Sequence, residues 1–145
     1  MFGLSLKARM RGYDVIARPA WRAGDPFQKV GEWLSVFEDL NREIYRCKGS
    51  TPAEIEQFIT DKMNAWGKGS RAFVWFEWEA PIYHGGHVIV VQLNENGFVQ
   101  YGDPQTGKIG VVRYFNEIKL DSVMIMRVDN LKFTNKIKWY YTNRK

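Results

Sequence analysis

The sequence predicts an α+β fold, with N-terminal helices packed on a mostly antiparallel β-sheet. Three observations predict it. Up to Trp66 the apolar residues recur at helical spacing. From Ser70 they come instead in short aromatic and β-branched runs. Between two of those runs stands Asn96-Gly97, the dipeptide that a tight hairpin favours. Helices gathered ahead of strands favour α+β over a doubly wound parallel sheet.

Taken in order, Leu4, Ala8 and Arg11 fall on one helical face, and Gly12 is a stop signal. Residues 13–17 read as a short strand ended by Arg18-Pro19, and 19–27 as a loop rich in turn residues. Val30, Trp33, Leu34 and Phe37 predict an amphipathic helix over 28–38. A second helix has firmer punctuation. Thr51 can cap it, Pro52 suits its first position, and Glu54 completes a capping box. Ile55, Phe58, Ile59, Met63 and Trp66 form its apolar stripe, which Gly67 ends. Residues 72–78, 86–93 and 98–101 then read as strands, the last two joined by the turn at 94–97. Further strands are expected at 109–114, 122–128 and 137–141. The whole chain, 1–145, reads as one domain, mainly helical to 66 and mainly sheet over 70–141.

Composition narrows the function classes. With 145 residues, 45% hydrophobic, the chain can build a core and is no disordered tail. It has no apolar run of about 18 residues, so no membrane span is expected. The start Met1-Phe2-Gly3-Leu4-Ser5 lacks the pattern of a secretory signal. The one cysteine, Cys47, can form neither an internal disulfide nor a cysteine-based zinc site. No dinucleotide fingerprint or P-loop spacing occurs, so no cofactor is expected. Lys+Arg 21 against Asp+Glu 16 gives a net charge of +5. The excess gathers at the ends, where Lys132, Lys136, Lys138, Arg144 and Lys145 surround Trp139, Tyr140 and Tyr141. Such ends could grip nucleic acid, but no binding motif accompanies them, and a solvated face is the simpler reading.

The groups able to do chemistry are few. His84 and His87 flank Gly85-Gly86, with no acid or thiol at metal-ligand spacing, so a metal site is not expected. His87 instead opens a stiff apolar strand, Val88-Ile89-Val90-Val91. Asp103 follows the partner strand, so the hairpin brings His87 and Asp103 to the same end. Asp103 could orient the imidazole, with Gln105 a nearby donor. Asp-Pro and Thr-Gly are also ordinary turn pairs, so spacing alone leaves a turn and a dyad both open.

Gly86-His87 entering a strand, the Asn-Gly hairpin and Asp103-Pro104-Gln105-Thr106-Gly107 together resemble the papain-fold toxin family of protein-glutamine deamidases. Residues 9–15 look like the end of that family's first helix and its next strand, and 126–131 like its closing strand. The resemblance implies a papain-like fold and a thiol that attacks a side-chain amide. In it His87 matches the base, Asp103 the orienting acid, and Gln105 a further motif position. It implies a target protein with a glutamine side chain as substrate, and an immunity protein as a further partner. It implies action in the cytoplasm of a target or host cell, or association with a virion, since relatives resemble modules of polymorphic toxins and phage head proteins. The nucleophile should stand near Phe2 or just ahead of Met1, where no thiol occurs. Three explanations stay open: a start downstream of the nucleophile, a non-catalytic pseudoenzyme, or a substitute. Cys47, between Arg46 and Lys48, and Ser5 are the candidate substitutes.

Overall fold

The computed structural model describes residues 15–17, 34–35, 37–79, 85–104, 106–134 and 141–143. They belong to two compact units, Met1–Arg42 with Asn130–Lys145, and Glu43–Asp129.

In the first unit, β1 (Val15–Ala17) pairs antiparallel with a strand at Tyr141–Asn143. The short strand read at 13–17 is therefore present over its last three residues. The helix expected over 28–38 falls largely outside the described residues, and where described it does not reach 38. Phe37 makes a β-bridge with Phe133, their rings 5.5 Å apart, and the Glu38 N–H donates to Lys132 O at 3.0 Å. Arg42 closes this turn by donating to the carbonyls of Leu34, Phe37 and Glu38. The predicted helix at 4–11, the loop at 19–27, the strand expected at 137–141 as far as residue 140, and Lys136, Lys138, Trp139, Tyr140, Arg144 and Lys145 of the basic end lie outside the described residues.

The second unit is built on a five-stranded, fully antiparallel sheet. Its strands are β2 (Ile44–Arg46), β3 (Arg71–Glu77), β4 (Gly86–Leu93), β5 (Val99–Gly102) and β6 (Met124–Arg127). Their order in space is β2-β6-β3-β4-β5. The strand at Tyr141–Asn143 is β7 in this numbering. β3, β4 and β5 are neighbours in sequence and in space, whereas β6 inserts from far along the chain.

One long helix, α1 (Pro52–Trp66), accompanies the sheet. Its start follows the predicted logic: Thr51 Oγ1 accepts from Glu54 N–H at 3.2 Å, and Pro52 opens the first turn. The other half of the capping box is shared between two residues. Glu54 Oε2 accepts from the N–H and hydroxyl of Ser50, and the Thr51 N–H adds a weaker bond to the same carboxyl. Ile55, Ile59 and Met63 are fully buried and meet Val74, Phe76, Ile89, Val91, Phe115 and Ile125 in one core. Truncating one such residue, as in Ile59→Ala, typically costs about 2–5 kcal/mol.

Two departures from the expected elements shape the site. Residues 109–114 were expected to be a strand, and only Ile109 bridges a neighbour, Gly102. Val111–Asn116 is a 3₁₀ helix. Gly110 stands at φ 68 before it, and the turn then buries Val111 and Phe115 in the core. Core burial at that spacing overrides the β preference of Val-Val-Arg-Tyr-Phe. β2 was not anticipated, since its three exposed residues carry no alternation to read.

Candidate active site

β4 begins hard against β3 because of two glycines. Gly85 adopts φ 87, a left-handed conformation that disfavours other residues, and its carbonyl accepts from Trp78 N–H at 3.0 Å. A Cβ on Gly86 would stand 3.3 Å from Phe76 O. His87 is the first residue of the strand to carry a side chain, and it sits opposite Phe76.

Register then brings the acid to it. Side chains alternate along strands, so His87, Ile89 and Val91 share one face. Val91 is paired with Tyr101, which puts Tyr101, and two residues on Asp103, on that same face. The turn that sets this register is closed by Gly97 N–H to Asn94 O at 3.0 Å, with Gly97 at φ 83. It is longer than a two-residue Asn-Gly turn, and Asn94 Oδ1 braces it by accepting from Asn96 and Phe98. Beyond β5, Asp103 is held on its backbone by bonds from its N–H to Lys108 O and from Gly107 N–H to its carbonyl, each 2.8 Å.

The dyad that spacing left open is formed as geometry. His87 Nε2 lies 2.8 Å from Asp103 Oδ2. A carboxylate only accepts, so Nε2 carries the proton and Nδ1 holds the lone pair of the neutral ring. Among the described residues Nδ1 takes no hydrogen-bond partner. The carboxylate side chain is 1% exposed and the imidazole 14% exposed, so the pair opens outward through the ring alone. Phe76, Trp78 and Tyr114 wall the ring, with centroids 6.0, 5.5 and 5.9 Å away. Asp103 is also fastened by Tyr114, whose hydroxyl donates to Oδ2 at 2.9 Å, and by Thr106 N–H, 3.4 Å from Oδ1. Loss of hydration and the adjoining Asp103 carboxylate push the Tyr114 hydroxyl pKa up, so it stays a donor.

Sequence reasoning missed Tyr114 and the wall that Trp78 makes. The signal lay in Gly110 followed by Val111 and Phe115, four apart, which marks a helical turn with Tyr114 beside its buried side. Gln105 and His84 lie outside the described residues, as do Ser5 and residues 9–14.

Cys47 does not join the pair. Its thiol is buried within the hydrophobic core, and its N–H donates to Val123 O at 2.8 Å. Arg46 and Lys48 were expected to lower its pKa. Burial instead pushes it up to about 12, opposed only by the charge of Lys62. A thiol in that state is a core side chain and no nucleophile.

Among the described residues no three His, Cys, Asp or Glu side chains gather where a metal could be held, and no helix is long and apolar enough to cross a membrane. Residues 2–108 match the family described as papain fold toxin 1, glutamine deamidase. No curated protein matches the chain.

Proposed function

Because the chain belongs to the papain-fold toxin family of glutamine deamidases, with its α+β architecture, we propose that His87 and Asp103 are the base and orienting acid of a cysteine-type amidohydrolase. The substrate is a glutamine side chain of a target protein, and the products are glutamate and ammonia. The observation that carries this reading is the 2.8 Å contact between a buried carboxylate and a histidine walled by aromatic rings.

The chemistry follows from the ring's orientation. Asp103 occupies Nε2, so Nδ1 is the nitrogen that takes a thiol proton. The thiolate attacks the amide carbon, and the imidazolium returns its proton to the departing ammonia. Water, deprotonated at the same nitrogen, then cleaves the thioester and frees glutamate. Asp103 stabilises the imidazolium throughout, and Phe76, Trp78 and Tyr114 keep water from competing for the pair. Gln105, two residues after Asp103 in the sequence, is the donor assigned to the developing oxyanion.

The thiol must be one other than Cys47, and the 145 residues hold no second cysteine. On this reading the chain alone releases no ammonia from glutamine-bearing proteins. Installing a thiol near the start, as in Phe2→Cys or a cysteine placed ahead of Met1, is expected to create activity that His87→Ala abolishes. If neither thiol variant releases ammonia while both fold, a second reading gains: a non-catalytic member that binds a partner through the surface around His87. The burial of Cys47 is the observation that favours it. That second reading expects any biological effect to survive His87→Ala. Action in the cytoplasm of a target cell, checked by an immunity protein, belongs to the first reading.

A further inference from the structure

We propose that the outer edge of β2 is a docking site for an extended, acidic segment of a partner protein, which adds to the sheet as a further strand. The proposal goes beyond the base-and-acid reading, since β2 lies three strands away from β4.

Pairing with β6 fixes which way the backbone of β2 points. Tyr45 stands opposite Ile125, Arg127 N–H donates to Glu43 O at 3.3 Å, and Cys47 N–H donates to Val123 O at 2.8 Å. Residues 43, 45 and 47 therefore direct their hydrogen bonds to β6. Backbone direction alternates along a strand, so the N–H and C=O of Ile44 and Arg46 point away from the sheet. Among the described residues no group pairs with them there. The opposite edge differs. On β5, Tyr101 O accepts from Gly110 N–H and Asp103 N–H donates to Lys108 O, each at 2.8 Å, so residues 108–110 already line part of it. β2 is the open edge.

An unpaired edge is a template for another strand. The side chains around it select which strand. Ile44 and Tyr45 are each 37% exposed and stand on opposite faces, so an added strand covers apolar surface on both. Arg46 and Lys48 are exposed, and among the described residues neither side chain has a hydrogen-bond or ion-pair partner. Lys62 adds a further cation, its Nζ 3.6 Å above the Tyr45 ring. The neighbouring acids are already engaged. Glu43 accepts from Trp66 Nε1 at 3.3 Å and faces Arg127 at 3.9 Å, and Asp61 accepts from Gln57 at 2.8 Å. A strand that carries glutamate or aspartate complements this edge. A second copy of the chain does not, because pairing β2 with β2 brings like cations together. Nor does the chain's own tail, since residues 132–145 hold no acid.

The test is a titration of the ¹⁵N-labelled full chain with a short synthetic peptide that alternates glutamate with threonine and valine. Shifts of the Ile44 and Arg46 amide signals are expected, with exchange of those protons slowed roughly threefold to tenfold at saturation. Replacing the peptide's glutamates by lysine should weaken binding roughly threefold to tenfold, as should Arg46→Glu combined with Lys48→Glu. N-methylation of the peptide backbone removes its donors and is expected to abolish the shifts. Equal binding by the lysine peptide overturns the acidic partner, and equal binding by the N-methylated peptide overturns pairing at the edge. Shifts confined to other amides, or none, overturn the docking site. Movement of the same amides on concentrating the chain alone makes the occupant a second copy. A stronger response to single-stranded DNA than to the peptide makes the surface one for phosphates. Either result overturns the proposal. Should the double variant not fold, the lysine and N-methylated peptides decide the question on the unaltered chain. No catalysis enters the measurement, so its failure leaves the reading of His87 and Asp103 untouched.

Discussion

Asp103 carries two donors on one oxygen while being nearly sealed from water, so its loss should be felt in stability as well as chemistry. Asp103→Ala strands the Nε2–H of His87 and the Tyr114 hydroxyl, and a decrease of about 1–3 kcal/mol in unfolding free energy is expected from urea titration. A variant as stable as the parent would mean that the two donors find water instead. Cys47 offers the opposite kind of test. With its thiol pKa near 12, alkylation of the native protein at about pH 8 should be negligible, and labelling should appear only as denaturant unfolds the core. Rapid labelling of the native state would put the thiol at the surface. His87 and Asp103 were legible in the sequence because a strand's alternation and a hairpin's register are set by near neighbours. Tyr114 was not, because its meeting with Asp103 depends on a 3₁₀ turn written in residues that favour strands.

At the scale of elements, α1 and the β4–β5 hairpin make separable predictions. Hydrogen bonds from the Ser50 N–H, then its hydroxyl, hold the Glu54 carboxyl below its ordinary range. A carboxyl lowered by folding contributes stability above its unfolded pKa and loses it as pH falls through the folded value. The urea midpoint should therefore decline on acidification between about pH 6 and pH 3, and Glu54→Gln should remove part of that decline. No change in slope would indicate that the Ser50 contacts do not persist in solution. Gly85, at φ 87, has open space where a Cβ would go, so Gly85→Ala isolates conformational strain from crowding. A cost of roughly 1–2 kcal/mol is expected from thermal unfolding, together with a disturbed start of β4. The helix was readable from its cap and stripe, and the hairpin from Asn-Gly. β2 escaped because three exposed residues make no pattern, and what defines that strand is its partner β6.

The molecule as a whole extends its sheet past the matched stretch. β6 lies between β2 and β3 and supplies the buried Ile125 and Met126, while Val111, Phe115, Ile118 and Val123 complete the core. A chain ending at residue 108 would keep His87 and Asp103 but lose all of these. It is expected to lack a cooperative thermal transition, and the full chain is expected to show one. A cooperative transition in the shortened chain would show that β3, β4 and β5 with α1 suffice.

The placement of β6 also sets a clock. On the ribosome β3, β4 and β5 emerge together and can pair at once, since each is joined to the next by a short turn or loop. β2 emerges before any of them, yet its one sheet neighbour among the described residues, β6, comes about eighty residues later. In that interval the flank of β3, with Phe73, Val74 and Trp75, presents an unpaired apolar edge of the sort on which nascent chains aggregate. The Tyr114 hydroxyl, which donates to Asp103 Oδ2, arrives in the same late stretch, so synthesis of the last third of the chain both closes the sheet and adds a donor to the acid beside His87.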